Sequence, residues 1–342
     1  MSSDDKNLIL EILNGRKPVP LSPAQLDPYF PVAVAHGLAG LVVEALGNDR
    51  ERFEKWSAFA SELEVSARFQ IQAATEIAEA FKSRGIPVFF VKGLSLALWV
   101  YKPGVRPFHD VDALIAPADL LRADAALKEL GFGIEDSSRG HPIEISYVRE
   151  KLPGFRVCID LHWDFTADDA LQSAIRIPMS ELFERARVVE KIPVPAIEDA
   201  LLLAATNLAR KSAEPLMLLV DFQRLAAQNP DWKTLLDRAR QWHLKTSLWL
   251  GLEMSQRLFN AAVPHELLRE LAPPPSRARK IQAMLVGEKL WLSDKQQMWR
   301  YRLLFKWLCL DSFSDKATVI FSLPRGVLRK LGVTRGPADS LR

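Results

Sequence analysis

The hydrophobic period changes at Gly85, and that change limits what the chain can fold into. Between Arg50 and Arg84 apolar residues recur at helical spacing in a stretch rich in Glu, Ala, Lys and Phe, which stops at Gly85. The next residues, IPVFFVKG, form a short β-branched and aromatic run closed by glycine, the pattern of a strand. LSLALWVY then reads as a brief helix. KPGVRPFH, with two prolines and a glycine, reads as a loop, and DVDALIA as a second strand. PADLLRADAALKELGF has Pro117 near its start and Gly131 at its end, as helices do. Two more strand patterns follow, PIEISYVRE (142–150) and FRVCIDLHWDF (155–165), with Pro-Gly at 153–154 as the turn between them.

The segments around this centre read as helical. Leu21 to Leu46 starts at Ser22-Pro23 and stops before Gly47. Beyond Asp164 the helical pattern resumes to about Leu310, as in EDALLLAATNLARK and LMLLVDFQRLAAQ. The expected organisation is an N-terminal helical region (1–85), an α+β core (86–165) and a C-terminal helical region (166–342). No Gly/Ser linker separates them, and no internal repeat is visible.

The bulk properties exclude several classes. Of 342 residues, 48% are apolar and 25% charged, the mix of a soluble globular protein. No apolar run reaches the roughly 18–20 residues that span a bilayer. The N-terminus has acids before its apolar stretch and no cleavage signal, which argues against secretion. Two cysteines, Cys158 and Cys309, make neither a disulfide framework nor a zinc site, so a reducing cytoplasm is expected. The net charge of +3 is uneven: from Ser276 to Arg342 there are 14 Lys/Arg against 5 Asp/Glu. Such a tail is a solvated helical face or a contact for nucleic acid, membrane or an acidic partner, and the solvated face is favoured.

The chemistry concentrates in one stretch. Asp110 and Asp112 sit two apart in an apolar strand, so their carboxylates share a face. Like charges that close repel unless a cation sits between them, and oxygen ligands of this kind suit Mg²⁺ or Mn²⁺. Asp160 lies on another strand and can reach the same cations, with His162 on its face. Three carboxylates on adjacent strands can hold two ions about 3.5–4 Å apart, the clamp of phosphoryl and nucleotidyl transfer. Lys92-Gly93 falls where a strand turns into a helix, a place whose free N–H groups favour anions. Ser95 offers a hydroxyl in that turn, and Arg106, just before the aspartates, a bidentate donor. Plainer readings stand beside these. Asp160 can pair with Arg156 or Arg106, and His162 can be a satisfied core histidine. Trp99 and Trp163 fit the core better than a base-stacking platform. Asp164 can cap a helix, and Asp221 needs a buried partner such as Arg210 or Arg224.

The order strand, Lys92-Gly93, short helix, Tyr101, loop, Arg106, Asp110-x-Asp112, strand, helix ending in Gly131-Phe132, then a strand with Asp160-Leu161-His162-Trp163, resembles the uncharacterised bacterial nucleotidyltransferase family of the polymerase-β-like superfamily. The likeness covers about residues 86–165. It differs from the wider superfamily in carrying Lys92-Gly93-Leu94-Ser95 where that usually has Gly-Ser. The resemblance implies an α+β fold, a small mixed β-sheet core flanked by helical regions. It also implies two Mg²⁺ (or Mn²⁺) held by Asp110, Asp112 and Asp160, and transfer of a nucleoside monophosphate from an NTP. Lys92, Gly93, Ser95, Arg106 and His162 would face the nucleotide. Members often lie beside lasso-peptide biosynthesis genes, a hint of context toward a modified peptide; the acceptor, a small molecule or peptide, is left unidentified. Two other outcomes are carried forward. One is a nucleotide-binding or partner-binding protein without catalysis; the other is a toxin-like enzyme that modifies RNA, which no basic-aromatic interleaving favours.

Overall fold

In the computed structural model residues 3–16, 20–135, 143–152, 155–165, 171, 174–291, 298–317 and 319 are described. The described residues form two compact units, each drawn from several stretches of chain. One takes residues within Met1–Val65, Val100–Pro107 and Leu201–Asp311; the other takes residues within Ser66–Trp99, Phe108–Ala200 and Ser312–Arg342.

The first unit is helical. It holds α1 (Ser3–Leu13), α2 (Pro23–Leu26), α3 (Phe30–Ala35), α4 (Ala39–Leu46) and the start of α5 (Glu54–Ser83). The segment expected as one helix from Leu21 to Leu46 is therefore three. A proline cannot donate to the preceding turn and clashes with it, so Pro28 and Pro31 break the run. Gly37, at φ 72°, turns the chain into α4. Close approach also fixes Gly40 of α4. A Cβ there would stand 2.5 Å from the carbonyl oxygens of both Gly104 and Val105. Backbone oxygens cannot rotate away, so Gly40→Ala is expected to cost about 1–3 kcal/mol, measured as a lower midpoint in thermal unfolding.

The second unit carries the sheet. In chain order it contains β1 (Val88–Val91), α6 (Lys92–Trp99), β2 (Val111–Ile115), α7 (Leu120–Glu129), β3 (Gly133–Ile134), β4 (Glu144–Leu152) and β5 (Phe155–His162). The strand order is β1-β2-β5-β4-β3. Only β2 and β5 run parallel; the other pairs are antiparallel. The fold is thus α+β with a mixed sheet, as the sequence implied. One face of the sheet is dry. Ile145, Tyr147, Ile159, Leu161, Val111 and Ala113 pack there with Ile77 and Phe81 of α5 and Ala123 and Leu127 of α7. The alternation E-I-S-Y and I-D-L-H sends every second residue to the opposite face, and that face is polar.

Beyond Asp164 the structure departs from the helical expectation. After α8 (Met179–Glu184), β6 (Arg187–Val189) and β7 (Ile192–Val194) pair as an antiparallel ribbon. Three-residue strands are too short to show a period, and Pro193 argues against a strand in sequence. Helix α9 (Ile197–Arg210) follows. In the helical unit come α10 (Met217–Ala226), α11 (Trp232–Gln241), α12 (Lys245–Phe259), α13 (His265–Leu271), α14 (Pro275–Ala283) and α15 (Trp299–Cys309). The N-terminus of α12 is capped from 65 residues away: Lys245 N and Thr246 N donate to Asp311 at 2.8 and 2.7 Å. The turn expected at 153–154 and the FSLPRGVLRKLG stretch of the basic tail lie outside the described residues. Among the described residues, no helix is long and apolar enough to cross a membrane.

Candidate functional site

The polar face of the sheet is built by strand register. β2 and β5 lie side by side with Asp112 opposite Asp160, and β4 and β5 pair Ser146 with Asp160 and Glu144 with His162. One residue out of step in either pairing would send these side chains into the apolar core. Asp112 and His162 are buried, at 2% and 3% exposure, and Asp160 is half-buried. One donor atom from each of these three lies within 4.8 Å of the others.

Lys92 completes the cluster. It follows the last residue of β1 and opens α6 at φ 54°. A side-chain-bearing residue there costs of order 1–3 kcal/mol, a strain that persists only where the surroundings over-determine it. Its ammonium ion-pairs with Asp112 Oδ1 and lies 3.4 Å from His162 Nε2. His162 Nε2 is itself 2.8 Å from Asp112 Oδ1, and its Nδ1 lies 3.1 Å from Glu144 Oε2. Ser146 Oγ donates to Asp160 Oδ1 at 2.6 Å. Ser95 is buried and its hydroxyl donates to the Lys92 carbonyl at 3.1 Å, holding the first turn of α6. Gly93 is buried in that turn.

Burial alone would push the Asp112 carboxyl up. Lys92 and the His162 hydrogen bond more than reverse this and hold it far below the usual carboxylate range. Asp160 goes the other way: burial raises it, the Ser146 hydrogen bond opposes, and the charge of Asp112 raises it further. For His162, burial and Lys92 favour the neutral ring, but bonds to Asp112 and Glu144 outweigh them and raise its pKa. The face thus holds two carboxylates whose pKa values are pushed in opposite directions, Asp112 down and Asp160 up. Thiolate chemistry is out of play for Cys309, where burial pushes the thiol up to about 12.

Of the residues singled out in sequence, Lys92, Asp112, Asp160 and His162 come together, with Gly93 and Ser95 in the adjoining turn. Asp110 precedes β2 at a bend and is half-buried; it is not one of the three that gather within 4.8 Å. Arg106 belongs to the helical unit. Its guanidinium forks onto Asp221, Nε to Oδ1 at 2.9 Å and Nη2 to Oδ2 at 2.8 Å, while Nη1 donates to the Pro107 carbonyl. Tyr101 donates its hydroxyl to Asp221 Oδ1 at 2.8 Å. The partner expected for Asp221, Arg210 or Arg224, is therefore Arg106: Arg210 bonds Asn207 and Arg224 pairs with Glu44. Trp163 is buried with the sheet core, and the Arg187 guanidinium lies over the Trp99 ring at 3.9 Å. Sequence reasoning missed Glu144 and Ser146. Both lay on an expected strand, on the alternate positions of E-I-S-Y, but only the β4–β5 register shows what they face.

The donor set fits a divalent cation: two carboxylates and an imidazole on one rigid face, already gathered around an ammonium. The match to known proteins agrees in class. A family model described as uncharacterised nucleotidyltransferase covers residues 22–260, and the chain belongs to that family. Among solved structures it is similar to an antigenic nucleotidyltransferase-like protein from Paracoccidioides brasiliensis. That pair shares 16% identity over 59% of this chain and 91% of the other, with a TM-score of 0.38. It is also similar to JHP933 from Helicobacter pylori, with 14% identity over 72% and 97% and a TM-score of 0.30. No curated protein matches the sequence.

Proposed function

We propose that the chain transfers a nucleoside monophosphate from an NTP to an acceptor bearing a hydroxyl or phosphate, using a divalent-metal site on the polar face of its sheet. The observation that carries this reading is the pair Asp112–Asp160, in register on the two parallel strands, beside the strand-to-helix turn at Lys92. Asp112 and Asp160 would hold the metal, and Asp110, one pleat earlier, would extend the carboxylate row toward a second Mg²⁺ or Mn²⁺. The metal supplies charge neutralisation at the phosphoryl oxygens.

The chain's own groups do the rest. The Lys92 ammonium and the amides of the first turn of α6 would receive the β- and γ-phosphates, with His162 beside them. Ser95 holds that turn in shape through its bond to the Lys92 carbonyl. The acceptor oxygen attacks the α-phosphorus in line, the bond from that phosphorus to the bridging oxygen breaks, and pyrophosphate leaves. The acceptor proton would pass to Asp160, held in place by the Ser146 hydroxyl. Positioning and charge placement supply most of the rate.

Calorimetric titration of each of the four NTPs, with Mg²⁺ and with Mn²⁺, tests the reading. Micromolar, metal-dependent binding of one or more NTPs is expected, and it should be lost in the Asp110→Asn/Asp112→Asn variant. Failure of the wild type to bind any NTP in the presence of either metal would overturn it.

A further inference from the structure

We infer that the helical unit carries a second binding site, a cavity that takes a small carboxylic acid with an apolar body. It lies within that unit alone and does not depend on the nucleotidyl-transfer reading. The cavity measures about 250 Å³. Its walls come from α1, α4, α10 and α12, whose Ile12, Leu41, Val220 and Phe259 line it and are buried. A dry cavity of about 150 Å³ with walls of this kind takes up benzene, so there is room here for such a ring and a short polar group. The frame is already formed. Asn14 Nδ2 donates to the Leu258 carbonyl at 2.8 Å and Asn260 Nδ2 to Asn14 Oδ1 at 2.7 Å, which ties the end of α1 to the end of α12. A pocket built before its ligand arrives loses little binding energy to ordering.

The polar end of the ligand is set by Arg224, which lines the same cavity. Its Nη2 ion-pairs with Glu44, and its Nε is buried with no hydrogen-bond partner among the described residues. A charged donor in that state is costly, and an acceptor placed beside it removes the cost. The side chain as a whole is part-exposed, so a ligand can reach the guanidinium.

Charge points the same way. Glu44 also faces the Lys102 ammonium at 3.5 Å, so two cations share one carboxylate and one further negative charge would balance them. An amine would bring a third cation to that group. A carboxylate matches the planar guanidinium and carries a single charge. A phosphate would bring a larger head with more charge into mainly apolar walls, beside the Glu44 carboxylate.

The experiment is calorimetric titration of the full-length protein with phenylacetate and with isocaproate. Two controls run beside them: phenylacetamide, which has the body without the charge, and acetate, which has the head without the body. The expected result is saturable binding of both acids, with Kd on the order of 1 mM or tighter. The amide and acetate should each bind at least about 10-fold more weakly. Ala45 lines the cavity, and Ala45→Leu fills part of it while keeping every charge, so it should weaken both acids at least about 10-fold. Arg224→Met keeps an apolar stem without the guanidinium and should bring phenylacetate down to the affinity of the amide. Circular dichroism checks that each variant folds. If Arg224→Met does not fold, the comparison of acid with amide and the Ala45→Leu result decide. No binding of either acid, phenylacetamide or acetate binding as tightly as phenylacetate, or undiminished binding in a folded Ala45→Leu would each overturn the inference.

Discussion

Replacing Asp112 with asparagine is expected to lower nucleotidyl transfer by at least about 10²–10³-fold, the scale of removing one preorganised group from a site that stabilises transition-state charge. Asp112 touches both Lys92 and His162. Asparagine keeps the shape and removes the charge. The variant should also lose some stability, because Lys92 then has no anion on Asp112 to face. Breaking a buried pair by truncating one partner costs about 3–5 kcal/mol. Lys92 is 18% exposed and can turn toward water, so the loss here should fall below that range. Measuring both quantities separates the causes: lost turnover with a melting curve close to wild type assigns the effect to the site. A folded Asp112→Asn protein with undiminished turnover would sink the assignment.

The second large effect lies in the helical unit and concerns folding. Asp221→Ala is expected to destabilise the protein by about 3–5 kcal/mol, since it strands a buried guanidinium. Both partners are nearly dry, Arg106 at 8% and Asp221 at 3% side-chain exposure. The same truncation takes the acceptor from the Tyr101 hydroxyl, whose pKa burial and the charge of Asp221 already push well up. For a chain of this size the melting temperature should fall on the order of 10 °C. Asp221→Asn, which can still accept from Tyr101 and Arg106, should recover part of the loss. A scan showing Asp221→Ala as stable as wild type would mean that the fork contributes little.

These two sites also mark how much the residues disclosed in advance. The strand, Lys-Gly turn, short helix and aspartate strand were legible because β-branched runs, prolines and glycines punctuate them. The sequence points to Asp110, Asp112 and Asp160 with His162 because a period of two places each on a definite face; of these, Asp112, Asp160 and His162 gather within 4.8 Å. The pairing of β2 with β5, and of β4 with β5, was not legible in residue patterns alone, so Glu144 and Ser146 passed unnoticed. The ribbon β6–β7 was hidden by its length. The Arg106–Asp221 fork spans 115 residues with no local sign of it. A loop arginine beside two aspartates has the chemistry of a phosphate ligand, and Arg106 uses that same bidentate chemistry on the carboxylate of Asp221.

The division into units has a practical consequence. The eight residues Val100–Pro107 belong with the helical unit, yet they are flanked on both sides by stretches of the sheet unit. No pair of cuts in the chain frees either unit whole. A clone spanning only the strands would lack Leu201–Asp311, which share a unit with residues 100–107, and would carry a peptide that has lost its own unit. Protease nicking should therefore give fragments that stay associated or unfold together. Swapping the sheet unit between relatives would call for grafting several segments at once, not a single cassette.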